Sequence, residues 1–144
     1  MRRAGGRTAG MELRDDQMCF VCGSKNPIGL HLPFTLDGDD CVLEFVPAKT
    51  HEGWGEVMHG GLIGTLLDEA MTRICWEKGF PAVTAEMQMR FRKPVKIGSK
   101  TITRGRIDAC RGRLLNCSAE MTLEDGTLVA TATGRLVAQK ADEQ

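Results

Sequence analysis

The stretch MHGGLIGTLLDEA, Met58 to Ala70, carries the clearest structural pattern in this 144-residue chain. Its apolar residues recur every three or four positions, which is the spacing of an amphipathic helix packed on one face. The stripe comprises Ile63, Leu66, Leu67 and Ala70, and it continues beyond the stretch at Ile74. The pattern predicts one helix over about residues 60–78, with Gly79 at the position where helices commonly stop.

The start of this helix is unusual because Gly60, Gly61 and Gly64 cluster there. Glycine weakens a helix by roughly 1 kcal/mol relative to alanine. The three glycines therefore need a reason, and the candidates are close backbone approach, anion binding and tight packing. Asp68 lies away from the apolar stripe, on the same helix face as Gly61 and Gly64.

The remaining chain has the alternating pattern of strands. Residues 30–47 predict a hairpin that turns at Asp37-Gly38, and a second hairpin turns at Asp125-Gly126 near the end. Two further strands lie between the helix and the second hairpin. The order of two strands, one helix and four strands predicts an α+β fold in which about six mostly antiparallel strands pack on one helix.

Composition indicates one domain at residues 13–140, after a tail at residues 1–12 that we expect to be disordered. The 19 Lys and Arg residues balance the 19 Asp and Glu residues, which argues against a nucleic-acid partner. No apolar run approaches the length of a membrane span, and we recognise no export signal. The six cysteines favour reduced, buried thiols in a cytoplasmic protein.

Residues 90–106 carry seven basic side chains and no acidic one. Such a run is commonly a solvated face, but it could also receive a ligand that carries phosphate groups. Arg92, Lys93 and Lys96, which flank Pro94, are the candidates for that contact.

Cys19 and Cys22 form a CxxC pair that resembles half of a zinc knuckle. Zinc needs about four ligands, and no second CxxC or paired histidine follows at a suitable spacing. We therefore expect no metal, with the alternative that a dimer supplies the missing ligands.

The segments CFVCGSKNPIGL, HEGWGEVMHGGLIGTLLDEA, AVTAEMQMRFRKPVKIG and GTLVATATGRLV resemble hotdog-fold acyl-CoA thioesterases. The likeness is to the phenylacetate-pathway and THEM4-like branch, and it extends over residues 17–138. Its most specific element is His59-Gly60-Gly61 with an acid, Asp68, nine residues after the histidine.

The resemblance implies a hotdog fold, in which a curved antiparallel sheet wraps a long central helix. It also implies a homodimer or a dimer of dimers, with the active site at the dimer interface. There the helix N-terminus of one chain faces the acid of the other. The expected substrate is an acyl-CoA, whose CoA is part of the substrate, and no separate cofactor is expected.

By the same resemblance, Asp68 is the general base or the nucleophile, and the amide of Gly60 or Gly61 binds the oxyanion. The chemistry agrees, because free N–H groups at a helix N-terminus stabilise negative charge. His59 would order the loop or hydrogen-bond the thioester. Thr84 would hold water or orient Asp68, although it is equally compatible with an ordinary strand threonine.

One departure concerns the loop before the helix. Several relatives have an Asn six residues before the motif histidine, where it positions substrate, and this chain has Gly53. His51 or Glu52 would have to compensate, and Trp54 is a candidate for lining the acyl pocket. The alternatives to hydrolysis are a non-catalytic acyl-CoA-binding protein and a hydratase or dehydratase on the same fold.

Overall fold

The computed structural model describes residues 12–140, which form six strands and one α-helix. The elements are β1 (Phe34–Asp37), β2 (Asp40–Phe45), a 3₁₀ turn (Lys49–His51), α1 (Gly60–Glu77), β3 (Ala82–Phe91), β4 (Thr101–Arg111), β5 (Leu114–Leu123) and β6 (Leu128–Ala138). The predicted order of elements is confirmed, and α1 ends within one residue of its predicted bound. The predicted disordered tail, except for its last residue, lies outside the described residues.

The six strands form one antiparallel sheet in the order β1-β2-β4-β5-β6-β3. β3 follows α1 in the chain but pairs with β6, so it forms one edge of the sheet. α1 contacts β2, β3, β4, β5 and β6. The sheet thus wraps the helix, and the expected hotdog architecture is confirmed.

α1 buries the predicted apolar stripe against the sheet, and each residue of the stripe is at most 3% exposed. The sheet contributes alternating residues that face the helix, in β5 Leu115, Cys117, Ala119 and Met121, and in β6 Ala130, Ala132 and Leu136. β4 comes closest, since a Cβ on Gly105 would lie 2.5 Å from the carbonyl carbon of Ala70. Among residues 12–140, no helix combines the length and hydrophobicity that a membrane span requires.

Glycines end the helix and close the first hairpin as predicted. Gly79 has φ +93° two residues after the end of α1, and Gly38 has φ +62° between β1 and β2. Both conformations favour glycine because it has no Cβ.

The first predicted strand is shorter than the alternation of apolar residues indicated. It begins at Phe34, because His31 has φ +54° and Pro33 has no N–H to donate to a ladder. The N–H groups of Leu30 and Leu32 instead bond to the carbonyl groups of Phe20 and Val21. Residues 30–33 therefore pack against the loop that contains the CxxC pair.

All six cysteines are free. Cys41, Cys75 and Cys117 are buried as expected, and Cys19 and Cys22 are partly buried. The expectation of buried thiols was wrong for Cys110, which is exposed near the end of β4, beside the turn into β5.

Candidate active site

The start of α1 forms one half of the candidate site, the amide half-site, defined as His59, Gly60 and Gly61. His59 is the N-cap residue, and its ring Nδ1 accepts a hydrogen bond of 2.8 Å from the Gly61 N–H. The Gly60 N–H has no acceptor among residues 12–140. Because the positive end of the helix dipole lies here, Gly60 offers a free donor to an anion.

A shallow cavity of about 300 Å³ opens beside the amide half-site. It is lined by Thr50, His51, Glu52, His59, Gly61 and Leu62. His51 Nδ1 accepts a bond of 2.8 Å from the Ala48 N–H, and its ring packs edge-on against Phe45. Glu52 accepts a bond from the Glu56 N–H. Both polar residues therefore line the cavity while they also hold the loop in place.

The loop packs so tightly on His59 that position 53 has little room for a side chain. A Cβ on Gly53 would lie 3.1 Å from the Cα of His59. The Gly53 N–H donates to the Val57 carbonyl at 2.9 Å. Gly53 thus contributes backbone only, and Trp54, which follows it, is 83% exposed.

Asp68 and Thr84 meet between α1 and β3 and form the second half, the acid half-site. Thr84 Oγ1 donates to Asp68 Oδ1 at 2.6 Å, and Thr72 Oγ1 lies 3.4 Å from Thr84 Oγ1. All three side chains are partly buried. The sequence analysis missed Thr72, although its position four residues after Asp68 places it on the same helix face.

Tight packing explains one of the three helix glycines. A Cβ on Gly64 would lie 2.8 Å from the sulfur of Met89 in β3. The absence of a side chain at Gly64 lets β3 lie close along α1. One turn later, that proximity brings Thr84 within reach of Asp68.

The two half-sites are separated along the helix. Asp68 comes eight positions after Gly60, which corresponds to about 12 Å of helix. One reacting carbonyl cannot contact both within a single chain. The arrangement offers a preorganised amide donor at one point and an oriented carboxylate at another.

Comparison with known proteins identifies the family. Residues 55–130, more than half of the chain, match the model of the thioesterase superfamily. The chain belongs to the thioesterase superfamily. Among curated relatives, it is 32% identical over 100 residues to acyl-coenzyme A thioesterase 13 of Mus musculus, with 68% of this chain and 66% of the relative covered. It is 28% identical over 121 residues to acyl-coenzyme A thioesterase THEM4 of Bos taurus, with 82% and 50% covered.

Solved structures share this fold of the thioesterase superfamily. The E. coli PaaI protein from the phenylacetic acid degradation operon has a TM-score of 0.73 and 18% identity, with 78% of this chain and 82% of that chain covered. A hypothetical thioesterase of Streptococcus pneumoniae, solved with coenzyme A, has a TM-score of 0.70 and 18% identity, with 76% and 91% covered. Structures of two variants of the latter protein, one Asp to Ala and one Thr to Ala, also match.

In this thioesterase-superfamily domain, the basic run from residue 90 to 106 divides into two parts. Arg104 and Arg106 bond to Asp40 in β2, and the hydrogen bond from Arg106 lowers the pKa of Asp40. Arg92, Lys93 and Lys96, the candidates for phosphate contacts, are exposed. Lys96 pairs through its backbone with Val57, two residues before the amide half-site.

Proposed function

We propose that this chain is an acyl-CoA thioesterase, which hydrolyses an acyl-CoA thioester to a free acid and CoA. The observation that carries the proposal is the 2.6 Å hydrogen bond from Thr84 to Asp68, in a chain whose helix also begins with a free Gly60 amide. Membership of the thioesterase superfamily and the acyl-coenzyme A thioesterase relatives support it. The S. pneumoniae structure with coenzyme A supports the choice of CoA ester.

The two half-sites would have distinct roles in the reaction. Asp68 takes a proton from water as that water attacks the thioester carbon, or attacks the carbon itself. Thr84 fixes the orientation of the Asp68 carboxylate. The Gly60 amide stabilises the negative oxygen of the tetrahedral intermediate. On the general-base route, the proton goes to the sulfur of the departing CoA when the C–S bond breaks. On the nucleophilic route, CoA leaves as a thiolate, and water then hydrolyses the acyl–Asp68 anhydride to free acid and the regenerated carboxylate.

A relative offers parallel support for the acid half-site. In the S. pneumoniae thioesterase, the Asp and the Thr that were each changed to Ala lie sixteen residues apart. Asp68 and Thr84 have the same separation here.

We also propose that two chains build each active site as a homodimer, which can pair again into a tetramer. The separation of about 12 Å along α1 means that the Gly60 amide of one chain needs Asp68 from another. β3 is an edge strand of ten residues, and such an edge readily pairs with a second copy. Its side chains Val83 and Phe91 are each 50% exposed.

The basic residues beside the loop would hold the CoA phosphates. Lys96 is exposed and its backbone is anchored to the loop that precedes the amide half-site. Arg92 and Lys93 follow β3, and both of their N–H groups bond to the Val129 carbonyl. Guanidinium and ammonium groups at these positions would attract a phosphate-bearing tail.

Hydrolysis of short-chain, long-chain and aromatic acyl-CoAs tests the proposal, with CoA release followed by a thiol-reactive dye. Since Cys110 is exposed, each rate needs a protein-only blank. Asp68→Asn should lower kcat at least about 100-fold, because a positioned general base contributes roughly that much. Asp108→Asn, an exposed aspartate in β4, is the matched control and should leave kcat unchanged.

Two other outcomes would replace the proposal. If no acyl-CoA is hydrolysed but CoA esters raise the Tm, the chain is a non-catalytic acyl-CoA-binding protein. If an unsaturated acyl-CoA gains water across its double bond and keeps its thioester, the chain is a hydratase.

A further inference from the structure

The CxxC pair meets a third potential metal ligand in the folded chain. Cys19 Sγ, Cys22 Sγ and a carboxylate oxygen of Glu69 all lie within 4.8 Å of one another, and all three residues are partly buried. Glu69 is on α1, about fifty residues further along the chain. The sequence analysis found too few ligands because this one comes from a different element.

Hydrogen bonds within the loop fix the conformation of the segment that holds the two sulfurs. The Val21 N–H donates to Cys19 Sγ at 3.4 Å, and the Gly23 N–H donates to the Cys19 carbonyl at 2.9 Å. A Cβ on Gly23 would lie 2.5 Å from the Cys19 backbone, so only glycine permits this tight turn. The loop thus presents both thiols on the side that faces α1.

The Glu69 carboxylate lies close to the two thiols, and one of its oxygens has no hydrogen-bond partner within residues 12–140. Glu69 Oε1 accepts a weak bond from the Cys19 thiol at 3.4 Å. Glu69 Oε2 is buried and has no hydrogen-bond partner. A buried carboxylate oxygen without a partner is costly, and a cation would satisfy it.

We propose that Cys19, Cys22 and Glu69 bind one zinc ion. With Zn–S bonds of about 2.3 Å, two sulfurs that share a zinc ion lie roughly 3.8 Å apart, so the cluster needs to contract by only about 1 Å. Thiolate sulfur with a carboxylate is a donor set that suits zinc. A water molecule would occupy the fourth coordination position of the zinc ion.

A cavity and the basic side chain of Arg73 lie beside the cluster. Cys19 and Glu69 line a cavity of about 380 Å³, which gives the fourth ligand access. Arg73 Nη2 lies 3.0 Å from Cys22 Sγ. Two thiolates and one carboxylate carry three negative charges, which zinc and the Arg73 guanidinium together neutralise. Arg73 would therefore act outside the ligand set, where such contacts tune metal affinity.

The zinc site is separate from the proposed hydrolytic chemistry. Glu69 is next to Asp68 in sequence, but Asp68 bonds to Thr84 in β3 whereas Glu69 faces the N-terminal loop. Zinc would tie that loop to the middle of α1. Its loss would lower the Tm without removing any group of the acid half-site.

Metal content and a cobalt spectrum test the proposal. Full-length protein, purified under reducing conditions, is assayed for zinc by atomic spectrometry and then titrated with Co²⁺, whose thiolate complexes have a charge-transfer band. The variants are Cys22→Ser and Glu69→Gln. Cys110→Ser is the matched control, because Cys110 is exposed and outside the cluster. Thermal denaturation establishes that each variant is folded.

We expect one zinc per chain and a cobalt–thiolate band for the wild type and Cys110→Ser. The affinity for zinc should fall on the order of 100-fold or more for Cys22→Ser and Glu69→Gln. Loss of a contact outside the ligand set costs up to about that factor, and each of these variants loses a ligand itself. Asp68→Asn should keep its zinc, which separates this proposal from the proposed function. Absence of the band in reduced wild type, or Glu69→Gln binding as tightly as wild type, would overturn the zinc site. So would a Cys19–Cys22 disulfide with no metal uptake.

Discussion

Replacing Gly60 by proline separates the stability of the helix from its role as an oxyanion donor. Gly60 is the first residue of α1, the position where proline is best tolerated. His59 before it already has φ −61° and ψ 128°, an extended conformation that suits a residue preceding proline. The Gly60 N–H that proline removes has no acceptor among residues 12–140.

Gly60→Pro should therefore raise the free energy of unfolding but lower kcat. A compatible proline lowers the entropy of the unfolded chain and stabilises by about 0.4 to 1 kcal/mol. The nearest obstacle to an added Cβ is Phe91 Cε1 at 3.8 Å, an ordinary contact, so little strain offsets this gain. Loss of one oxyanion donor should lower kcat about 100- to 1,000-fold.

Urea denaturation and steady-state hydrolysis of the preferred acyl-CoA measure these effects. Gly60→Ala is the matched control, because it adds the same Cβ but keeps the N–H, and it should retain most of the wild-type kcat. If Gly60→Pro is as stable as wild type and its kcat falls less than about tenfold, the Gly60 amide does not bind the oxyanion.

Three further predictions concern the acid half-site, the packing of α1 and the charges on β2. Thr84→Val removes the bond to Asp68 and should lower kcat about 10- to 100-fold in steady-state assays, with no further loss in an Asp68→Asn background. Gly105→Ala would place its Cβ 2.5 Å from the backbone of α1, and urea denaturation should show a loss of about 3 kcal/mol. Asp40→Asn should cost about 1 kcal/mol at pH 7. Arg106 holds the pKa of Asp40 below its ordinary value of 3.8 in the folded state, so a pH series of melts should show the cost starting to vanish below about pH 4.

Local patterns were sufficient to predict most elements. The apolar stripe predicted α1 because one helix face is buried, and alternation predicted β5 and β6 because each has one face on the helix. The pattern failed at residues 30–33, where Leu30 and Leu32 alternate like strand residues. There Pro33 and the positive φ of His31 override the hydrophobic periodicity.

The hydrophobic pattern of the sequence does not predict contacts between elements that are far apart in the chain. Nothing in the sequence of β3 indicates that it pairs with β6 rather than with its neighbour β4. The acid half-site depends on that pairing, so the contact between Asp68 and Thr84 was expected from resemblance alone. Glu69 was overlooked for the same reason, since its meeting with the cysteines depends on how the N-terminal loop packs on α1.

The position of β3 at the sheet edge also fixes when the acid half-site can form during folding. β3 is complete at Phe91, yet its pairing partner β6 begins only at Leu128. During synthesis on the ribosome, Thr84 therefore has no sheet to hold it until the sixth strand has emerged. Such long-range pairing also slows folding. The acid half-site is thus among the last parts of the molecule to assemble, and truncation within β6 would abolish it even though every residue of both half-sites is still present.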